Sequence, residues 1–228
     1  DVIFYLPGLD QGIGGLNAIV SICNDLIRNG IMATCALIDA EGERKVREYK
    51  GPIFFNFLCY PRASDFLDDQ SIHPKIIFST LYSTARFAAD FARKRGSLPV
   101  QFIQGYEAYF DNGEAYKSAL ESYGQTTIAV TTSNWLLKMV SRHVSADTLL
   151  TKLPLKVNPF IFYSTDAKRS YDVVILLRSS ADKGQWLLLE LVDRLVKMGL
   201  KLSVFYARQY HFVQDLYKDF DNIDFISL

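Results

Sequence analysis

Short apolar runs alternate with amphipathic segments along most of this chain of 228 residues. The first apolar run, Val2–Leu6, leads into a glycine-containing loop, after which apolar residues recur at helical spacing from Leu16 to Ile27. The segment 31–38 then returns to strand character. A strand, a helix and a second strand with short connections form the opening of a parallel α/β sheet. The pattern therefore predicts a doubly wound parallel sheet.

The same alternation continues downstream. It predicts strands at 53–58, 75–79, 100–103 and 126–131, and helices at 83–95, 114–123 and, after the N-cap residue Ser133, through about 142. Between the strands at 53–58 and 75–79, the segment 61–73 is polar and irregular, which predicts a loop with one helical turn.

A change in composition predicts a domain boundary. Pro154 and Pro159 lead into a polar stretch, so we expect a first domain at 1–155, a linker at 156–170 and a second domain at 171–228. The second domain is expected to contain strands at 172–177, 201–206 and 223–226 and helices at 183–198 and 212–220. Its 58 residues hold too little core for a complete doubly wound fold, so we expect it to be incomplete at Leu228.

The charge, cysteine and histidine content of the chain reduces the number of functional classes to consider. With 25 Lys and Arg residues against 25 Asp and Glu residues, the chain lacks the basic surplus of a nucleic-acid-binding domain. Three cysteines in apolar runs predict buried thiols rather than a disulfide framework, and hence a cytoplasmic protein. Three histidines far apart give no metal-ligand spacing. Peripheral contact with the inner face of the membrane is left open, because it needs only a modest amphipathic surface.

The stretch that leads from the first strand of the second domain into its helix is suited to an anion. Arg178 ends an apolar run, and Lys183-Gly184 precedes the helix. Arginine can bind two phosphate oxygens at once, lysine supplies a mobile charge, and the free N–H groups of the helix start point the same way. A diphosphate would fit these groups. The alternative is an ordinary strand–turn–helix unit with solvated charges.

A second candidate site is the glycine loop after the first strand. Gly12, Gly14 and Gly15 would allow the backbone to approach a ligand closely, although such a turn also occurs for packing alone. Asp39 ends the second strand, where dinucleotide enzymes place a ribose-binding acid, which raises the alternative of a nicotinamide-dependent oxidoreductase. The pattern G-x-G-x-x-G is not met, since Leu16-Asn17 leads to Ala18 after Gly15, and this disfavours that alternative.

Polar and aromatic residues follow the strand at 100–103. Gln104, Tyr106 and Glu107 lie where open α/β sheets bind ligands, at the carboxyl end of a strand. Tyr109 and Phe110 come directly after them. The aromatic rings could stack on a sugar ring, or they could fix the loop to its domain by burial.

Four stretches in this order resemble a known family. They are Gly12-Ile13-Gly14-Gly15, the run 102–110 (FIQGYEAYF), the run 130–135 (VTTSNW) and the Arg178 and Lys183 pair. Together they resemble the GT-B glycosyltransferases, in particular the bacterial polysaccharide-building, rhamnosyltransferase-like members of glycosyltransferase family 4. The resemblance implies two Rossmann-like domains that face each other across a cleft. It also implies a nucleotide-diphosphate sugar held mainly by the second domain and an acceptor held mainly by the first.

The resemblance also implies a reaction. Such enzymes transfer the sugar with retention of configuration, without a bound metal and without a cofactor, to a saccharide or lipid-linked acceptor in surface polysaccharide synthesis. Arg178 and Lys183 would stabilise the leaving diphosphate, where Gly12, Gly14 and Gly15 also approach. Glu107 would polarise the acceptor hydroxyl or accept backbone hydrogen bonds, with Gln104 and Tyr106 beside it.

One departure from the family leaves an alternative open. The family's pair of glutamates, seven residues apart, comes later in the second domain than Leu228, so the residues that would grip the donor sugar are not in this sequence. The alternative is a sugar- or nucleotide-binding module without turnover, or a partner subunit of a transferase.

Overall fold

A computed structural model describes residues 1–9, 14–109, 113–155, 168–177, 184–206 and 212–227. The chain divides into two compact units, Asp1–Lys156 and Val157–Leu228. The predicted Gly12, Phe110, Arg178 and Lys183, and most of the predicted linker, lie outside the described residues.

The first unit is a parallel sheet with helices on both faces. Its strands are β1 (Val2–Leu6), β2 (Ala33–Ile38), β3 (Asn56–Tyr60), β4 (Ile76–Ser79), β5 (Leu98–Ile103), β6 (Ile128–Thr131) and β7 (Leu149–Lys152). Its helices are α1 (Gly14–Arg28), α2 (Gly42–Glu48), α3 (Ala63–Asp68), α4 (Tyr82–Arg95), α5 (Glu114–Tyr123) and α6 (Asn134–Val140), with a 3₁₀ turn at Glu107–Tyr109. The strand order is β3-β2-β1-β4-β5-β6-β7, and all pairs are parallel.

The central strand β1 shows why the sheet needs helices on both faces. All five of its residues are buried. Phe4 and Leu6 belong to the hydrophobic cluster that also contains Ile19 and Cys23 of α1. Ile3 and Tyr5 alternate with them and belong to a second cluster, formed with α3 and α4. Successive side chains of a strand point to opposite faces, so α1 covers one face and α4 covers the other.

The strand order reverses between β1 and β4. The chain moves outward from β1 through β2 to β3, and then returns to place β4 on the other side of β1. Because crossovers between parallel strands are right-handed, the helices change face at this reversal, and the loops after β1 and β4 separate there. Crevices at such points, beside the carboxyl ends of the strands, are the usual ligand sites of open α/β sheets.

The second unit is a smaller parallel sheet. Its described elements are β8 (Val173–Leu177), α7 (Gln185–Lys197), β9 (Leu202–Tyr206), α8 (Phe212–Leu216) and β10 (Ile223–Ser227), with strand order β10-β9-β8. Val192 and Val196 of α7 pack on Ile175 and Leu177 of β8. Val174 and Leu176, on the other face of β8, are exposed. The two-unit α/β architecture predicted from the sequence is confirmed.

Two strands differ most from the sequence-based prediction, while the other strand ends differ by up to two residues. The strand expected at 53–58 is β3, which begins only at Asn56, because Asn24 of α1 binds the preceding backbone: its amide donates to Pro52 O at 2.8 Å and its carbonyl accepts Phe54 N–H at 2.8 Å. The edge strand β7 was not predicted. Its four residues are too short to show periodicity, and it forms because they pair in register with β6.

Candidate functional site

At the base of the crevice at the strand-order reversal, a hydrogen bond joins the residue after β4 to β1. Thr80, directly after β4, donates from Oγ1 to the carbonyl oxygen of Tyr5 in β1 at 2.8 Å. Thr84 Oγ1 accepts the backbone N–H groups of Thr80 and Leu81 at 3.1 Å each, which caps the start of α4. These bonds tie the segment after β4 to the end of β1 and to the start of α4.

Gly15 and Gln104 meet on the α1 side of this crevice. A Cβ atom built on Gly15 would lie 3.2 Å from Gln104 Oε1 and 3.3 Å from its Nε2, whereas one built on Gly14 meets nothing within 4 Å. The glycine at position 15 thus leaves room for the amide that follows β5. Gln104 Oε1 is buried and has no hydrogen-bond partner among the described residues. An unpaired buried acceptor is costly, so this oxygen is suited to receive a donor from a ligand.

Glu107 lies in the same loop but engages the other face of the sheet. Its side chain is buried, and Oε2 accepts the backbone N–H of Tyr82, the first residue of α4, at 2.5 Å. A carboxylate at a helix N-terminus pairs with an unsatisfied N–H and with the positive end of the helix dipole. Burial nevertheless raises the pKa of Glu107 to about 7, and the bond from Tyr82 only partly offsets this.

Hydrogen bonds of two tyrosine hydroxyl groups stabilise this loop. The Tyr123 hydroxyl accepts the backbone N–H of Glu107 at 3.1 Å, and burial raises the pKa of Tyr123. The Tyr106 hydroxyl and His143 Nε2 are 2.9 Å apart, in a hydrogen bond whose direction depends on the tautomer of the imidazole. Tyr106 is buried, and burial also raises its pKa. These bonds hold residues 106 and 107 in a fixed conformation.

Aromatic rings continue outward from Tyr106. Its ring contacts Tyr109 edge to face, with centroids 4.8 Å apart, and Trp135 edge to face, with centroids 6.3 Å apart. Tyr109 and Trp135 are themselves 6.5 Å apart and inclined by 45°. Trp135 stands in the first turn of α6, which begins where Ser133 Oγ accepts the Leu136 N–H at 3.1 Å, as predicted for an N-cap.

Asp39, which the oxidoreductase alternative required, is engaged within its own loop. Its Oδ2 lies 2.7 Å from Lys45 Nζ, and its Oδ1 accepts the Glu41 N–H at 2.9 Å. The bond to Lys45 and the bond from Glu41 lower the pKa of Asp39. A carboxylate that already has these partners is poorly placed to bind a ribose.

In the second unit, the described residues reach the helix start but not the charged pair. Gly184 is the N-cap of α7 and has a φ of 71°, in the left-handed region that favours glycine. A glycine here allows the chain to turn sharply from the preceding residues into α7. Arg178 and Lys183 themselves lie outside the described residues, so their role stays a prediction.

Neither a metal cluster nor a membrane span is found in the described part of the chain. No group of three or more His, Cys, Asp or Glu side chains there could hold a metal ion. No helix there is both long and apolar enough to cross a membrane.

The structure brings together four of the predicted residues at one edge of the sheet, namely Gly15, Gln104, Tyr106 and Glu107. It adds three that the sequence reasoning did not single out for this site: Thr80, Trp135 and His143. Trp135 lies in the run 130–135 and follows the strand predicted at 126–131, and this position was the available signal. His143 gave none, because its contact with Tyr106 spans 37 residues.

Comparison with known proteins identifies the fold. No protein-family model and no curated protein matches the chain. Among solved structures, Anabaena Alr3699/HepE in complex with UDP and glucose matches 99% of this chain and 68% of its own, with a TM-score of 0.74 and 10% identity. Sucrose-phosphate synthase from Thermosynechococcus elongatus matches 99% of this chain and 70% of its own, with a TM-score of 0.73 and 11% identity.

A third similar structure is the lipopolysaccharide outer core galactosyltransferase WaaB in its apo form, with a TM-score of 0.61 and 12% identity over 100% of this chain and 68% of its own. At these identities the likeness shows the fold. The chain has the α/β fold of the GT-B glycosyltransferases, with a short second unit.

Proposed function

We propose that this chain is a glycosyltransferase that moves a sugar from a nucleotide-diphosphate sugar to a saccharide or lipid-linked saccharide. The observation that carries the proposal is the match of 99% of the chain to HepE, a protein solved with UDP and glucose. The local geometry supports it: Gly15 and the unpaired oxygen of Gln104 lie together beside the crevice at the strand-order reversal, where open α/β sheets bind ligands.

The chemistry requires positive charge near the leaving group. When the bond between the sugar and the diphosphate breaks, negative charge develops on the diphosphate, and fixed cations stabilise this transition state more than the ground state. Arg178 and Lys183 of the second unit are our candidates for that role, and they would act without a metal ion. The left-handed Gly184 supports this assignment, since it turns the chain directly into the free N–H groups of α7.

The first unit would supply the acceptor side. No described atom lies within 4 Å of a Cβ built on Gly14, and Gly15 contacts Gln104, so a hydroxyl or phosphate could approach the backbone at this helix start. Gln104 would accept a ligand hydroxyl, and Tyr106 would hold the loop. Glu107, with a pKa of about 7, is matched to proton transfer near neutral pH, and it also fixes the start of α4.

Three finer features belong to the same proposal. Retention of configuration, a hexose as the transferred sugar and a place in bacterial surface polysaccharide synthesis rest on the sequence resemblance. We propose a cytoplasmic protein that contacts the inner face of the membrane only peripherally, if its acceptor is lipid-linked.

The test compares Arg178→Ala with a matched control. We expect Arg178→Ala to weaken UDP binding at least tenfold in calorimetry, because a bidentate phosphate contact is lost. Arg194→Ala removes an exposed arginine of α7 that pairs with Glu190, and it should leave UDP affinity unchanged. Equal affinities of the two variants would remove Arg178 from the donor site. Tight binding of UDP-glucose without release of UDP in the presence of acceptors would instead identify a binding module without turnover.

A further inference from the structure

The three aromatic rings beside the crevice differ sharply in exposure. Tyr106 is 6% exposed, whereas Tyr109 is 60% and Trp135 is 54% exposed. Tyr106 touches both of the others edge to face, at interplanar angles of 77° and 78°. The buried ring therefore supports two large aromatic surfaces that remain open to solvent.

These two surfaces are held in place by bonds on both sides. The Tyr106 hydroxyl is tied to His143, and the backbone of the next residue is tied to Tyr123. The first turn of α6, which carries Trp135, is capped by Ser133. An aromatic ring fixed in advance loses little conformational entropy when it binds a ligand, which is why tyrosine and tryptophan are effective contact residues.

The geometry favours a sugar ring over a flat ligand. A planar base stacks best between parallel rings, but Tyr109 and Trp135 are inclined by 45° with centroids 6.5 Å apart. A pyranose is puckered, and the C–H groups of one of its faces can contact two adjacent inclined rings through their electron-rich faces. Asn134, held by Lys152 Nζ at 2.7 Å, lies next to Trp135 and supplies the polar neighbour that sugar hydroxyls require.

We propose that Tyr109 and Trp135 form a stacking platform for a sugar ring of the saccharide acceptor. This inference rests on the proposed function, and it names the part of the first unit that recognises the acceptor. Tyr109 lies in the loop that carries Gln104 and Glu107, and Trp135 lies in α6, directly after the neighbouring strand β6. The 3.4 Å hydrogen bond from Thr132 Oγ1 to the carbonyl oxygen of Gln104 joins these two segments.

The test is binding of the full chain to immobilised neutral oligosaccharides of hexose, deoxyhexose and N-acetylhexosamine. We expect the wild-type chain to retain a subset of them, and Trp135→Ala and Tyr109→Ala each to weaken that binding at least tenfold. Trp135→Phe keeps a ring face and should bind within about threefold of wild type. The control is Phe54→Ala, which removes a 51% exposed aromatic ring that lies beside Arg28 of α1 and should leave binding of the oligosaccharides and of UDP-glucose unchanged.

Calorimetry with UDP-glucose on the same variants separates the two proposals. Loss of oligosaccharide binding with unchanged UDP-glucose affinity supports the platform. If the wild-type chain binds no UDP-glucose but still binds oligosaccharides through Trp135, the proposed function fails and the platform stands. Retention of no oligosaccharide by wild type, equal binding by Trp135→Ala, or a loss of UDP-glucose affinity in that variant overturns the platform. If Trp135→Ala lowers the thermal unfolding midpoint by several degrees, its loss of binding could come from misfolding. In that case the oligosaccharide binding of Tyr109→Ala is the deciding measurement.

Discussion

Gln104 and Glu107 are three residues apart in one loop, yet they serve opposite faces of the sheet. Gln104 turns to α1, where it lies against Gly15, and its Oε1 has no partner in the part of the chain that the structure describes. Glu107 turns to α4, where it accepts the Tyr82 N–H, and its own backbone N–H is bound by Tyr123. One polar side chain is left open while the other is built into the fold.

The difference separates two uses of a buried polar group. A satisfied group stabilises the local structure, and its removal exposes an unpaired partner. An unsatisfied acceptor destabilises the free protein and becomes favourable only when a ligand donates to it. We therefore expect changes at Glu107 to act on stability and its pH dependence as well as on the proposed proton transfer, and changes at Gln104 to act mainly on ligand binding.

The largest effect is expected from Glu107→Gln, on the pH dependence of the free energy of unfolding. The folded pKa of about 7 lies above the ordinary value of 4.5, so the folded protein binds more protons than the unfolded chain between these values. The contribution of this carboxyl group is therefore favourable below pH 4.5 and is lost as pH rises through 7. Relative to wild type, Glu107→Gln should gain up to about 3 kcal/mol in free energy of unfolding between pH 4.5 and pH 8.

Urea unfolding at several pH values measures this difference. Taking the difference between two variants cancels the titration of all other groups. Glu121→Gln, an exposed residue of α5, serves as the control and should stay parallel to wild type. A flat difference between Glu107→Gln and wild type would show that Glu107 is solvated in the folded protein.

A smaller effect is expected from Gln104→Met, which should raise stability and weaken ligand binding. The substitution replaces an unpaired buried amide with an apolar chain of nearly the same shape, so stability should rise by about 1 kcal/mol. Affinity for UDP-glucose or for the acceptor should fall about tenfold. Chemical unfolding and calorimetry measure the two quantities.

Gln101→Met is the matched control for ligand binding. Gln101 also has an unpaired buried Oε1, but its Nε2 donates to Ser122 Oγ at 3.0 Å within the core. This variant should leave ligand affinity unchanged. Equal losses of affinity in both variants would mean that a general disturbance of the sheet, and not the loss of the Gln104 amide, weakens ligand binding.

The smallest effect is expected from Gly15→Ala compared with Gly14→Ala. Alanine at position 14, the first residue of α1, meets no described atom within 4 Å and should change stability and ligand binding little. Alanine at position 15 would press on the Gln104 amide, which must move by a few tenths of an ångström. We expect only Gly15→Ala to weaken ligand binding, by a few-fold in calorimetry. Identical behaviour of the two variants would argue against a functional contact between Gly15 and Gln104.

The sequence predicted the alternation of strands and helices well, because apolar periodicity reflects burial directly. It placed α1, α4 and α5 and six of the seven strands of the first sheet. It missed β7, whose formation depends on pairing with β6, and it began β3 too early, because the side chain of Asn24 decides where that ladder starts. Both errors concern contacts between residues far apart in the chain.

The candidate site shows the same division. The sequence alone determined the carboxyl-end position of Gln104, Tyr106 and Glu107, because that position follows from local periodicity. Only the tertiary structure decided which helix each side chain meets. It left Gln104 Oε1 unpaired, joined Tyr106 to His143 and placed Trp135 beside Tyr109. Local pattern specifies where a strand ends, whereas the partners of a side chain depend on packing between segments that periodicity cannot relate.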